Sequence, residues 1–516
     1  MYIGDYLGRR ALYSPDQMAI VDAGKNPHRA FTYSELNNRA NRLANWLRDG
    51  AGVKKGDRVA VLALDGVEYL DTFFACGKLG AILTGLNWRL HWRELAALIN
   101  KTTPRVLVYS SDFRETVANI LANTDCIAHI VHLDGEGLPN SRYFEKTLTD
   151  SVLLPVTTED VTEEDIVALI FTGGTTGMPK AAQISHRMIA WNALNTIIHD
   201  LQHGDITVNT FPLFHTGGLL VYTMPLIIFG GTIVLTRRFD AQQVLTLLEE
   251  YAATVYAGVP TMYQMMTAAP NWATADLSNL RFCTSGGAPL PVSLVEKFRR
   301  EKGIQFKQGF GMSEFGPGVF ALAPEDALRK AGSIGRPNFY VDARIVNELN
   351  QPLPPGQVGE LVLRGPSMCS GYFNEPEASA HVVDEYGWFH TGDLAVMDDN
   401  HYFTIVDRKK DMFISGGENI YPNEIEQVLY QHPAVELCAV VGVPDEKWGE
   451  VGKAFIVVRA GMQVTVEELM AHMQHYLAGY KVPRQIEFRD QLPISGAGKI
   501  LKRELLQEIE AREHQQ

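Results

Sequence analysis

Short apolar runs alternate with amphipathic helical stripes through the first half of the chain, an alternation that favours sheets covered by helices. Thr32-Tyr33-Ser34-Glu35 reads as a capping box, in which the threonine hydroxyl takes an amide near Glu35 and the glutamate returns a bond to the cap. Leu36, Ala40, Leu43 and Leu47 continue one helical stripe, which stops near Gly50. A buried strand is expected at 59–64, a helix at 67–79 and a further apolar run at 81–83. Residues 105–109, 129–133, 166–171, 231–235 and 254–257 read as strands, with a helix at 241–250. Past Ile334 the runs shorten and are bounded by Gly, Pro, Asn and Asp, so 340–346, 359–364 and 402–406 predict a strand-rich subdomain. The charged Asp407-Arg408-Lys409-Lys410-Asp411 marks a boundary. The expected fold class is therefore α/β. A large domain, 1–408, has helix-covered sheets and the strand-rich subdomain; a small mobile α+β lobe, 409–516, carries helices at 422–430 and 465–477 and strands at 435–443 and 454–458.

At 516 residues the chain exceeds one core. With 46 Lys and Arg against 60 Asp and Glu, and no long basic tract, a nucleic-acid partner is not expected. Cys76, Cys126, Cys283, Cys369 and Cys438 are widely spaced, without a zinc pattern, which suits reduced, packed thiols. The start shows no signal-peptide pattern. The most apolar stretch, 219–228, is far short of the ~20 residues that cross a bilayer. A cytoplasmic protein without a transmembrane segment is expected, with self-association left open.

The sharpest local signal is Thr172-Gly173-Gly174-Thr175-Thr176-Gly177-Met178-Pro179-Lys180, following an apolar strand. Its glycines permit close backbone approach, while three threonine hydroxyls and a lysine can take phosphate oxygens. It is not a Walker A loop, because Met178-Pro179 follow Gly177 where that motif has lysine and a hydroxyl residue.

With this nonapeptide the chain resembles the acyl-CoA synthetases of the adenylate-forming superfamily, which also contains luciferases and peptide-synthetase adenylation domains. The resemblance covers nearly the whole chain. It runs through Phe211-Pro212-Leu213-Phe214-His215, Gly309-Phe310-Gly311-Met312-Ser313-Glu314, Gly359-Glu360-Leu361, His390-Thr391-Gly392-Asp393, Asp407-Arg408-Lys409-Lys410, Ser415-Gly416-Gly417-Glu418-Asn419 and Gly498-Lys499.

The resemblance implies ATP and Mg²⁺ as cofactors and coenzyme A as co-substrate. Thr172, Gly173, Gly174, Thr175, Thr176, Gly177 and Lys180 would manage the ATP phosphates, although Gly173 stands where serine is common. Gly286, Gly287 and Ala288 would shape the adenine pocket. In the segment Gly309, Phe310, Gly311, Met312, Ser313, Glu314, the phenylalanine would stack on adenine without the phenol of the usual tyrosine. The serine would face phosphate and Glu314 would hold Mg²⁺. Asp393 would accept from the ribose hydroxyls, Arg408 would contact ribose or phosphate, and Lys499 would bridge the attacking carboxylate and the α-phosphate. His215 would orient the acid or gate the thioester passage.

The implied reaction has two halves: the carboxylate attacks the α-phosphorus to give acyl-AMP and pyrophosphate, then the coenzyme A thiol displaces AMP. Related enzymes rotate the C-terminal lobe between halves. The hinge maps to Lys410, and Ser415, Gly416 and Gly417 would face the pantetheine arm. The acid is expected to be a hydrophobic fatty or aromatic one. Two alternatives are a relative with a non-CoA acceptor and a noncatalytic nucleotide-binding interaction protein.

Overall fold

The Thr32 capping box forms as expected: Thr32 Oγ1 accepts from Glu35 N at 3.2 Å, Glu35 Oε2 accepts from Thr32 N at 2.8 Å, and the helix runs Tyr33–Asn45. Thr465 and Glu468 make the same reciprocal pair of bonds at the start of Val466–Tyr476. The structure is a computed structural model and describes residues 4–158, 160–172, 179–416, 418–494 and 500–513.

Contacts divide the chain into two units, Met1–Ala331 with Pro337–Asp342 and Arg364–Gly387, and Gly332–Arg336 with Ala343–Leu363 and Trp388–Gln516. The expected domain boundary at 408/409 stays a proposal.

The first unit holds a seven-stranded sheet in the order Arg142–Tyr143, His129–His132, Val106–Tyr109, Arg58–Leu62, Ile82–Gly85, Ile166–Thr172, Lys180–Ser185. All pairs are parallel except the last, where Thr172 opposes Lys180 across a hairpin. Thr172 and Lys180, the first and last residues of the nonapeptide, are thus cross-strand partners at the sheet's edge. A second sheet runs Gly316–Leu322, Gln305–Met312, Phe282–Ser285, Val255–Gly258, Ile206–Asn209, Thr232–Leu235, Met18–Asp22, Arg29–Thr32. Its interior pairs are parallel, and antiparallel hairpins close both ends of this order. Parallel strands buried on both faces read as continuous apolar runs, which is why Arg58–Leu62, Ile82–Gly85, Val106–Tyr109, Ile166–Thr172, Thr232–Leu235 and Val255–Gly258 were visible in the sequence, whereas Met18–Asp22, Ile206–Asn209 and Phe282–Ser285 were not singled out there. The helix Val67–Leu79 is buried along its whole length between them.

The second unit holds most of a four-stranded sheet, Asp342–Val346, Gly359–Arg364, Phe389–Met397, Phe403–Arg408. It also holds the sheet Glu418–Ile420, Phe413–Ser415, Gly449–Val458, Val435–Asp445, with Gln485–Phe488 beside Gly449–Val458. Helices Pro422–Tyr430 and Val466–Tyr476 cover it through Ile425, Leu429, Leu469 and Met473. The α/β class is borne out, as are the helix-covered sheets and the α+β character of the C-terminal residues. The 219–228 stretch splits into two short helices, Thr216–Leu220 and Thr223–Phe229, and no described helix is long and apolar enough to cross a membrane.

Candidate active site

In the first unit the site begins where strand Gln305–Met312 turns back into Gly316–Leu322. The ladder shifts register between Phe310 and Met312, a bulge that re-aims the end of the strand. Gly311 is required here, because a Cβ would lie 2.3 Å from the Pro317 carbonyl oxygen. Phe310 is half-buried and meets Phe320 edge to face at 5.8 Å. A Cβ on Gly286 would sit 3.1 Å from Gly309 O, so the two predicted adenine-side segments lie backbone against backbone. Gly287 has φ +80° and, with Ala288, is exposed beyond the buried Ser285.

Thr216 Oγ1 and Ser313 Oγ are 3.4 Å apart, so the residue after His215 meets the residue before Glu314. His215 packs on Phe214 with ring centroids 4.8 Å apart, and its carbonyl accepts from Gly218 N at 3.1 Å. Leu219 and Leu220, in the short helix that follows, are in the hydrophobic core.

Three residues of this neighbourhood were not singled out in the sequence. Tyr372 donates to Glu314 Oε1 at 3.0 Å, and Lys180 Nζ lies 5.0 Å from the Tyr372 ring centroid. Burial first, and then Glu314, push the Tyr372 phenol far up, which keeps it a donor. Asn192, on helix His186–Ile197, accepts from Gly318 N at 3.0 Å and donates to Leu220 O at 2.8 Å. One buried amide thus fastens the segment after His215 to the strand after Glu314. The third is Thr216. No local periodicity marks any of them, because each acts through residues distant in sequence.

In the second unit Asp393 and Arg408 are directly opposed partners on neighbouring strands. The Asp393 carboxylate is buried, and Arg408 Nε lies 2.5 Å from Oδ1. Asp393 N donates to Thr391 Oγ1 at 3.0 Å, and Gly392 adopts φ +70°. Lys410 is exposed in the turn that follows, where the Asp411 and Met412 amides both return to Arg408 O. Ser415 ends a short strand and Gly416 turns with φ +60°. A Cβ there would meet the Trp448 ring at 2.8 Å, which explains the glycine. Lys502 pairs with Glu426 at 2.8 Å.

The structure therefore gathers His215, Ser313, Glu314 and Lys180 through Thr216 and Tyr372 in one unit, and pairs Asp393 with Arg408 in the other. Gly173, Gly174, Thr175, Thr176, Gly177, Gly417 and Lys499 lie outside the described residues. The five cysteines are unbridged, and burial raises Cys76, Cys283, Cys369 and Cys438, so these four fit packing better than nucleophilic chemistry.

Residues 7–373 match the family model described as AMP-binding enzyme, and residues 424–499 match its AMP-binding enzyme C-terminal domain. The chain belongs to the AMP-binding enzyme family. It is 43% identical over 504 residues to a feruloyl-CoA synthase of Amycolatopsis sp, covering 98% of each chain. It is 37% identical over 509 residues to an indoleacetate–CoA ligase of Aromatoleum aromaticum, again covering 98% of each. Among solved structures, an anthranilate CoA ligase in complex with anthranoyl-AMP superposes with TM-score 0.92 at 28% identity, over 100% of this chain and 98% of that one. Within its family the enzyme is an acyl-CoA synthetase of the adenylate-forming kind, and its co-substrates are ATP and coenzyme A. The resemblance read from the motifs is borne out.

Proposed function

We propose that the enzyme joins an aromatic carboxylic acid of the ferulate type to coenzyme A through an acyl-AMP intermediate. The full-length 43% identity to a feruloyl-CoA synthase carries this reading, and the indoleacetate–CoA ligase supports an aryl acid, whereas the long-chain-fatty-acid–CoA ligase of Escherichia coli O6:H1 is 33% identical.

Adenylation needs a carboxylate oxygen to approach an α-phosphorus that is itself surrounded by negative charge. Lys180 and Lys499 offset that charge, and Lys499 does so where it develops in the transition state. Phe310 stacks on adenine, while Gly286 and Gly287 let the base approach the backbone. Asp393 accepts from the ribose hydroxyls, and Arg408 pairs with its carboxylate and aims it. The attacking carboxylate needs no base, so Glu314 serves as an acceptor rather than a proton carrier.

The residues suit Mg²⁺: Glu314 offers one carboxylate beside the Ser313 hydroxyl, and no cluster of three or more His, Cys, Asp or Glu gathers among the described residues. Such a site fits an ion held mainly by phosphate and water. When bound, the ion would neutralise phosphate charge and help pyrophosphate depart.

In the second half the thiol attacks the mixed-anhydride carbonyl, and AMP leaves with the electron pair. His215 orients the carbonyl. A turn of the chain at Lys410 withdraws Lys499, and Ser415, Gly416 and Gly417 pass the pantetheine arm.

The test is an acid panel with ATP, Mg²⁺ and coenzyme A, reading pyrophosphate and thioester separately. Ferulate, cinnamate and indoleacetate should exceed octanoate and palmitate in kcat/KM by at least roughly tenfold. A fatty acid at the top of the panel overturns the aromatic assignment. Pyrophosphate without thioester would indicate a different acceptor.

A further inference from the structure

Asp65 follows the strand Arg58–Leu62 and precedes the helix Val67–Leu79, a place where a carboxylate would ordinarily meet solvent. Here it is 5% exposed, and its Oδ1 accepts the Leu213 amide at 3.0 Å. Leu213 and Phe214 are buried, and the half-buried His215 comes next. The turn carrying them is tightly seated. A Cβ on Gly85 would lie 2.4 Å from the Tyr69 hydroxyl and 3.1 Å from Phe214 Cα, and one on Gly218 would lie 2.2 Å from Pro212 O.

The charged groups around Asp65 act on it without pairing with its carboxylate. Arg237 donates to the Asp65 backbone carbonyl and, at 3.1 Å, to Asp22. Glu68, on the following helix, is tied to Arg29 at 2.5 Å. Arg89 acts on Asp65 only through its field, and Tyr69, pushed far up by burial, faces it as a neutral phenol. Burial outweighs the Leu213 amide and both arginines and raises the Asp65 carboxyl to about 7.

We propose that Asp65 is a positioning residue for His215: its buried carboxylate fixes the Leu213 amide, and through it the turn that presents the histidine. This rests on His215 belonging to the acyl-transfer site. An ionised carboxylate accepts an N–H more strongly than a protonated one, so the grip tightens as pH rises through neutrality.

The experiment compares full-length wild type with Asp65→Asn, Asp65→Ala and His215→Ala. Hydrogen exchange at the Leu213 amide and both half-reactions are followed between about pH 6 and pH 8. Asp65→Ala should speed Leu213 exchange and lower kcat roughly tenfold, with the KM for ATP held within about twofold. Asp65→Asn keeps an acceptor and should stay within about threefold of wild type, while losing the part of the pH dependence centred near 7. Wild-type Leu213 protection in a folded Asp65→Ala, or an unaltered pH profile in Asp65→Asn, overturns the proposal. If Asp65→Ala does not fold, the Asp65→Asn profile decides alone. Full activity of His215→Ala in both half-reactions would remove the histidine from the chemistry and overturn the catalytic claim. In that case Leu213 exchange reports separately whether Asp65 holds the turn.

Discussion

The Tyr372 hydroxyl donates 3.0 Å to Glu314 Oε1, joining two residues separated by 58 positions in the chain. The bond occupies part of one carboxylate oxygen, and on the proposed reading the rest of Glu314 faces the cation. Tyr372→Phe should therefore lower the rate of pyrophosphate release about tenfold and raise the Mg²⁺ concentration needed for half-maximal rate. Glu314→Gln should cost more, about a hundredfold. A magnesium titration of both variants checks the order; an unchanged magnesium requirement in Tyr372→Phe would separate the tyrosine from the metal.

The Asp393–Arg408 pair makes a different prediction. Asp393→Asn removes the charge that Arg408 meets at 2.5 Å, together with an acceptor for ribose. The KM for ATP should rise roughly tenfold, with a smaller effect on thioester formation from supplied acyl-AMP. An ATP dependence identical to wild type would argue against the ribose role.

Lys499 and Lys410 should separate the two halves of the reaction. Lys499→Ala should abolish most acyl-AMP production and spare thioester formation from supplied acyl-AMP. Lys410→Pro should do the reverse, because proline restricts rotation, while the turn's own bonds start from the Asp411 and Met412 amides and remain in place. Equal loss of both halves in both folded variants would sink the idea of a moving lobe.

His186 offers a test of stability rather than rate. It is fully buried, neither ring nitrogen has a recorded hydrogen-bond partner, and burial lowers its pKa to about 4. Below about pH 6.5 the unfolded chain takes up a proton that the folded chain refuses until about pH 4, so stability is lost as pH falls through that window, by roughly 3 kcal/mol in all. Asp65 acts in the opposite sense: its raised pKa makes the folded chain hold the extra proton up to about 7, and stability from it falls as pH rises. The comparison with His186→Leu isolates the histidine. Its Tm should fall less between pH 7 and pH 5 than that of wild type.

Much of the fold was legible because its strands are buried on both faces and its helices are amphipathic. The helix Val67–Leu79 and the Thr32 and Thr465 capping boxes follow from local chemistry alone. The hairpin Gln305–Met312 to Gly316–Leu322 was not read as strands, since its glycines and bulge break any alternation. The motif residues were visible as types and spacings. Their supports were not: Tyr372, Asn192 and Trp448 act across long separations, where one sequence carries no pairing signal. Gly416 shows the difference, a glycine expected from the motif to face the pantetheine arm and a position closed by the Trp448 ring in space.

On the proposed reading, with the segments after His215 and after Glu314 flanking the acid, Asn192 has a consequence for altering which acid is taken. A single amide on a core helix sets the spacing between the segment ending near Leu220 and the strand beginning at Gly316. Side chains along both segments can then be exchanged one by one while the gap between their backbones stays fixed. Libraries aimed at new acids should keep the asparagine and vary its neighbours, because replacing it would shift both sides together and confound every other change.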